Sequence, residues 1–520
     1  MRLALPILVA ALALSGVACK VGPNYSTPPS KVASQWQESP AVTNRPCSAA
    51  EEYWWRYFDD PVLDQLVETA FRNNLSLQAA GVRILEARAK LNKSIGNLFP
   101  QQQNLSGQVN YSRLNDGVVN MIPGLDQNYV SGQLLFAASW EIDFWGKYRR
   151  GIESDRASYL GAIASYDDAL GTLIADVAST YTNIRTLEER LRVARRNLKL
   201  QYESLRIATV QFQAGETSER DVEQATTQTA QTEAAIPRLE ESWLQYKDGL
   251  AVLLGLTPDE IDRHLGGQRP IPTAPATVAV GIPRDLLRRR PDVRAAGLEA
   301  ASKSALIGVA KAAMYPSFSL AGEFGLTGNN EANNSLADMF NWESRALKAG
   351  AGFVFPIFNY GRLINQVRVQ DAQFQQAVLH YQNTVLSAQR EVEDGLAAFA
   401  NEQRVVKMLE RAAKSAHHST DLALIQYKGG QTDYTTVVSA EQNQLSVEDS
   451  LASNQGNVAL GIISVYRALG GGWQIRAGHD VISDEVKAEM SRRTDWGRLL
   501  EPERHLPHNA GAGTQTNAER

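Results

Sequence analysis

Four short stretches of the chain alternate strictly between apolar and polar residues. In 104–112, Leu105, Gly107, Val109 and Tyr111 alternate with Asn104, Ser106, Gln108, Asn110 and Ser112. In 129–142, Val130, Leu134, Phe136, Trp140 and Ile142 alternate with Tyr129, Ser131, Gln133, Ser139 and Glu141. Residues 317–327 set Phe318, Leu320 and Phe324 against Ser317, Ser319 and Glu323. Residues 347–357 carry Leu347, Ala349, Ala351, Phe353, Phe355 and Ile357, with Lys348, Gly350 and Gly352 among their neighbours. A period of two places one strand face in apolar surroundings and the other against water or small packed groups. A half-buried sheet in a soluble domain has the same pattern, but lengths of roughly 9–14 residues also suit strands crossing a bilayer at a tilt.

Around these strands the pattern changes to very long helices. No proline occurs between Gly146 and Gln211, or in 362–428, where Gly395 is the only internal glycine. Helices of about 65 residues extend about 100 Å at 1.5 Å per residue, the scale of bundles and coiled coils. Gly215 in QAGET and Gly430 in KGGQT stand where C-cap glycines end such helices. Returning helices at about 217–254 and 432–469 make each pair an antiparallel hairpin, with Pro237 expected to kink the first. Helices at about 60–97 and 284–313 precede the strands.

The chain contains this unit twice. Ala79-Ala80-Gly81 and Ala295-Ala296-Gly297 stand 216 residues apart, as do Leu98-Phe99-Pro100 and Met314-Tyr315-Pro316. Trp145-Gly146-Lys147 matches Tyr360-Gly361-Arg362 at 215, followed by Tyr166 with Tyr381, Gln211 with Gln426, and Gly215 with Gly430. Thr217 with Thr432, Val222 with Val437, Ala225 with Ala440, and Gly255 with Gly470 continue the register. This period far exceeds that of solenoid repeats. The expected division is a segment 1–18, an extended segment 19–58, a first repeat 59–269, a Pro-rich linker 270–283, a second repeat 284–473 and a tail 474–520. The last part of that tail is polar and expected to be disordered.

Composition narrows the function. The 520 residues carry 52 Lys plus Arg and 57 Asp plus Glu, a net charge of −5 that gives no footprint for nucleic acid. Cys19 and Cys47 are the only cysteines, too few for a disulfide scaffold or a Cys-based metal site. Beyond residue 18 no apolar run is long enough for a spanning helix. Met1-Arg2 followed by apolar or small residues 3–18 has the layout of a secretory signal peptide. Cys19 stands at its end as a candidate lipid acceptor. Gly16-Val17-Ala18 before it also fits an ordinary export signal, Gly16 being unusual for lipoprotein processing. An exported chain with four bilayer-length strands cannot close a barrel alone, because open edges are not tolerated in lipid. Two copies would supply eight strands and three would supply twelve.

Enzymatic motifs are missing: there is no G-x-S-x-G, H-E-x-x-H or P-loop pattern. His417-His418 are adjacent on a helix and so do not share a face. Arg288-Arg289-Arg290 reads as a solvated helix end, Asp59-Asp60 before Pro61 as a helix start. Asn104-Leu105-Ser106 fits a glycosylation pattern that a bacterial-type export signal makes moot.

The stretches CKVGPNYSTPP, WWRYFDDPVLDQLVETAFRNN, SWEIDFWGKYRRGI, GIPRDLLRRRPDVRAA and VYRALGGGW resemble the outer-membrane efflux proteins of the TolC-like family. They point to its NodT-like lipoprotein branch, which serves RND-type pumps, and the resemblance covers about residues 19–473. It implies an α+β membrane protein with internal duplication. Its homotrimer would form a 12-stranded transmembrane β-barrel, four strands per chain, continued by a long α-helical periplasmic barrel. It further implies a lipid-anchored outer-membrane location, a periplasmic membrane-fusion adaptor and an inner-membrane RND-type pump as partners, and no cofactor apart from acyl groups on Cys19. The conduit would carry small molecules to the exterior, and Gly215 and Gly430 would lie at the hairpin tips. An aspartate that rings the family's constriction is replaced here by Ser439, in Val437-Val438-Ser439-Ala440-Glu441-Gln442, leaving Arg220, Asp221 and Asp433 as further aperture candidates. A channel for type I protein secretion and a periplasmic scaffold or adaptor without a barrel are the competing readings.

Overall fold

The structure is a computed structural model that describes residues 19–36, 42–43, 49–113, 128–275, 278–279, 289–330, 335–502 and 506. The signal segment 1–18, Cys47, Arg288, the linker residues 276–277 and 280–283, and the end of the tail from 507 lie outside the described residues. The chain forms two compact units, each drawing on both sequence halves. One comprises residues 1–28, 86–161 and 296–381; the other comprises 29–85, 162–295 and 382–520.

The helices begin with α1 (Pro61–Asn73) and α2 (Leu75–Gly96). Asp60 caps α1, accepting from the Val62 N–H at 2.9 Å, and Pro61 occupies a first-turn position that needs no donor. The stretch expected to be helical over 60–97 is broken at Asn74. Its N–H ends α1 on the Ala70 carbonyl, and its Oδ1 accepts from Leu77 N–H at 2.8 Å. The sheet strands are β1 (Gln102–Arg113) and β2 (Asn128–Ile142), followed by α3 (Lys147–Gln213) and α4 (Glu219–Leu253). Pro237 lies inside α4 without ending it.

After the short α5 (Ile261–Leu265) the plan repeats as α6 (Pro291–Ala312), β3 (Ser317–Asn329), β4 (Arg345–Val354), α7 (Arg362–Lys428) and α8 (Tyr434–Ala468). Both α3 and α7 have 67 residues and both α4 and α8 have 35, with starts displaced by 215 positions from 147 to 362 and from 219 to 434. Two short strands, Val42–Thr43 and Val278–Ala279, pair in parallel.

In the first unit the four long strands form one antiparallel sheet in chain order β1-β2-β3-β4. β4 ends at Val354 rather than continuing to Ile357, because its hairpin partner β3 begins at Ser317 opposite Val354.

The second unit is built around buried aromatics. Trp54 stacks on Tyr466 with ring centroids 5.5 Å apart, and Trp55, Tyr166, Tyr181 and Phe399 are buried with Leu63 and Leu66. Part of the tail is ordered here, as α9 (Asp484–Arg493), preceded by the buried Val481 and Ile482. A side chain at Gly81 would collide with the Val481 carbonyl, which explains a glycine there.

Candidate functional site

The sheet carries two chemically distinct faces. Paired residues in an antiparallel sheet share a face, so the register links Leu105, Phe136, Phe324 and Leu347 into one apolar row across all four strands. Ile142, Phe318 and Phe353 form another, and Trp140, Leu320 and Ala351 a third. Leu105 is 72% exposed and Leu347 76%. A large apolar surface of this kind marks contact with lipid or a partner.

The opposite face is polar. Gln108, Gln133 and Thr327 form one row, in which Gln133 Nε2 donates to Gln108 Oε1 at 2.8 Å. Lys348 Nζ lies 3.5 Å from Glu323 Oε2 across the β3–β4 pair. A short segment, Leu336–Phe340, is held by the reciprocal Ser335–Asp338 capping bonds and lies on the apolar face. Side chains at Gly132 and Gly328 would meet Leu336 and Met339. The sequence reading missed this cover; the Ser-x-x-Asp spacing at 335–338 was its available signal.

At the ends of the strands next to the long helices, aromatics gather. Trp145 stacks on Tyr315 at 4.6 Å and donates from Nε1 to the Pro316 carbonyl at 2.8 Å. Phe144 packs on Trp145 and Phe318. The N-terminal segment is tied to the same place. Val21 N–H donates to the Trp145 carbonyl at 3.1 Å, and the buried Arg150 guanidinium donates to the Val21 and Gly22 carbonyls and to Asn24 Oδ1. Gly22, at φ +97°, sits against Gly308 with no room for a side chain. Cys19, two residues from this anchor, is exposed.

The second unit holds the hairpin tips. Gly215 and Gly430 adopt φ +77° and +66° beyond the ends of α3 and α7. Glu216 N–H donates to Gln211 O, and Gln431 N–H to Gln426 O, both at 2.9 Å. Both tips are thus Schellman caps. Asp433 caps α8 by accepting from Thr436 N–H at 3.2 Å. Asp221 is buried, accepts from the Thr217 and Ser218 hydroxyls, and lies 3.7 Å from the exposed Arg220. The exposed Ser439 donates to the Thr435 carbonyl one turn back.

Beneath the tips, Tyr427 and Tyr434 meet edge to face at 5.0 Å amid Ile207, Ala225 and Val437. Glu441 is buried nearby and accepts from Ser204, while its Oε2 has no hydrogen-bond partner. Burial raises its carboxyl above the usual range. Glu441 was not selected from the sequence, where it reads as an ordinary polar helix residue.

The chain matches the family described as outer membrane efflux protein over residues 66–256 and 282–471. It belongs to that family. Nodulation protein T of Rhizobium leguminosarum bv. trifolii is 30% identical over 441 residues, covering 85% of this chain and 91% of the relative. A Salmonella typhimurium protein named "Probable outer membrane lipoprotein SilC" is 28% identical over 457 residues, covering 87% and 95%. The solved outer-membrane channel OprN superposes with a TM-score of 0.80 at 30% identity, covering 88% of this chain and all of that one. This outer-membrane efflux protein therefore has its place in the outer membrane, and its fold is that of the family's channels.

Other residues selected from the sequence serve structure in this efflux protein. Arg290 is buried, contrary to the solvated helix end expected. It donates to the Ala468 carbonyl at the end of α8 and to the carboxylates of Asp292 and Glu391, which compensate its charge. Asp60 accepts from Tyr181 besides capping α1. His417 meets Gln444 at 3.1 Å, and no cluster suited to a metal occurs among the described residues.

Proposed function

We propose that three copies of this outer-membrane efflux protein close their sheets into one twelve-stranded barrel, a passive conduit for small molecules. The observation that carries the reading is a sheet with a broad exposed apolar face, a polar opposite face and two unpaired edges, β1 and β4. Such edges are satisfied within a bilayer only by closure. Two copies would give eight strands, a barrel whose interior side chains fill. Gln108, Gln133, Glu323 and Lys348 on the polar face need a wider ring to leave an aqueous path.

In this reading the apolar rows meet lipid and the aromatics around Trp145 lie at the membrane interface. Acylation of Cys19 would place acyl chains beside those aromatics, since Val21 is bonded to Trp145 itself. The helical hairpins would extend into the periplasm towards an adaptor and an inner-membrane pump of the RND type. Among the aperture candidates, Asp221 is buried within its own hairpin and Asp433 is held as the cap of α8, whereas the exposed Arg220 side chain has only the 3.7 Å approach to Asp221 among the described residues. Arg220 is therefore the first choice for a contact that narrows the tip.

Purified full-length protein in detergent is expected to have the mass of a trimer and to form discrete conducting units in planar bilayers. A monomer without conductance would overturn the proposal. Charge reversal at Arg220 is expected to raise single-channel conductance; unchanged conductance for Arg220→Glu and Asp433→Lys removes both as gate residues.

A further inference from the structure

The internal duplication relates the two free edges of the sheet to the pair of strands joined inside it. Shifting both β1 and β2 by 215 residues converts the first hairpin into the second: Leu105–Phe136 becomes Leu320–Ala351, and Gln102–Ser139 becomes Ser317–Val354, both observed pairs. The halves are joined within the chain by β2 and β3, where Ser131 faces Asn329 and Ile142 faces Phe318, residue numbers that add to 460. The repeat of β2 is β4 and the repeat of β3 is β1, the two free edges. Applying the same shift, forwards for one and backwards for the other, leaves the sum at 460.

We propose that β4 of one copy pairs antiparallel with β1 of a second copy in this register, each residue n of β4 opposite residue 460 − n of β1. The inference rests on the reading of the chain as a barrel closed by several copies, and specifies the seam.

Side-chain sizes support this register independently. It sets Phe353 opposite Gly107, Ala351 opposite Val109, Ala349 opposite Tyr111, Gly352 opposite Gln108 and Gly350 opposite Asn110. In these five pairs each large or long side chain faces glycine or alanine; at the strand ends Leu347 meets Arg113, Lys348 meets Ser112 and Val354 meets Ser106. A one-residue slip would turn every side chain to the wrong face. A two-residue slip that sets n opposite 458 − n would put Phe353 against Leu105 and Leu347 against Tyr111, with Ala351 left against Gly107, and the opposite slip would put Phe353 against Val109.

The junction below repeats the logic. Trp145 stacks on Tyr315 within the chain, but its repeat Tyr360 is 101% exposed and Phe99, the repeat of Tyr315, is 61% exposed. Tyr360 of one copy would seat on Phe99 of the next. Residues 355–357, which fall outside β4, would then lie opposite 103–105 of the second copy. Pro356 can lack its N–H there: it repeats Glu141, whose N–H points towards its own hairpin, donating to Gln101 Oε1.

The test is disulfide formation between full-length chains in a Cys47→Ser background. Oxidation of Gly350→Cys mixed with Asn110→Cys is expected to give at least tenfold more covalent dimer than Gly350→Cys mixed with Gln108→Cys or with Ser112→Cys. A Cβ at Gly350 meets nothing within 4 Å, so the substitution has room. Gly352→Cys with Gln108→Cys is the second matched pair, should the first disturb folding. The doubly substituted Asn110→Cys/Gly350→Cys chain should yield a closed covalent trimer. Preferential linkage of a shifted pair, in protein that is oligomeric by native mass, would overturn the register and leave the barrel standing. A protein that is monomeric in detergent would overturn both.

Discussion

The two halves of the chain have matching helix lengths and hairpin register, yet they satisfy their needs differently. In the first half Trp145 finds Tyr315 within the chain; in the second, Tyr360 is fully exposed. The halves also take different fastenings. Asp167, in the first, is buried against Arg476 of the C-terminal segment, with Arg294 at 3.7 Å. Its repeat position holds Gln382, which donates to the Pro29 carbonyl of the N-terminal segment at 3.0 Å, while Gln389 donates to Lys31. At the tips Asp433 makes a side-chain cap, whereas Ser218 at the repeat position makes none. Duplication supplied one scaffold, and the halves differ at the contacts with the chain termini, at the hairpin tips and at the exposed Tyr360.

The largest expected effect contrasts the two fastenings. Asp167→Ala leaves the Arg476 guanidinium buried without its carboxylate and should cost about 3–5 kcal/mol. Gln382→Ala, removing a neutral bond on a less buried side chain, should cost about 1 kcal/mol. Guanidinium unfolding midpoints measure both, and equal losses would break the distinction.

Next comes the contrast between sheet faces. Phe324→Arg, in the central apolar row, should destabilise the inserted protein by about 2–4 kcal/mol. Thr327→Arg on the polar face should leave stability nearly unchanged and alter conductance or ion selectivity. Urea unfolding from vesicles reads the first and planar-bilayer recording the second.

At the tips the expected difference is smaller. Asp433→Ala should cost about 1 kcal/mol by loss of the cap, seen as faster amide exchange in the first turn of α8. Ser218→Ala should change exchange at α4 little.

The smallest effect concerns pH. Burial raises the folded-state pKa of Glu441, so the folded state holds its proton more tightly than the unfolded chain. Stability from this group is therefore greatest below its unfolded pKa and is lost as pH rises through the folded one. Glu441→Gln should accordingly gain stability relative to wild type near about pH 7, and the gain should vanish in acid. A gain unchanged in acid would show that ionisation is not its cause.

Much of this was legible along the chain. The strands show because a half-apolar sheet imposes period two, the long helices because proline and internal glycine are excluded from them, and the tips because Gly215 and Gly430 take a positive φ. The short-range exceptions were harder to see. Asn74 breaks a helix through its own side-chain bonds, β4 stops where β3 offers no partner, and Leu336 and Met339 reach the sheet only because Gly132 and Gly328 lie across from them.

By itself the sequence determined the repeat, the element types and the compartment, since each follows from local periodicity or from residue chemistry read along one dimension. Tertiary structure alone decided which charges are buried and compensated, as with Arg290 and Asp167, and which aromatics remain bare, as with Tyr360. Those outcomes depend on groups distant in sequence arriving together, and burial is a property of what surrounds a side chain rather than of the side chain.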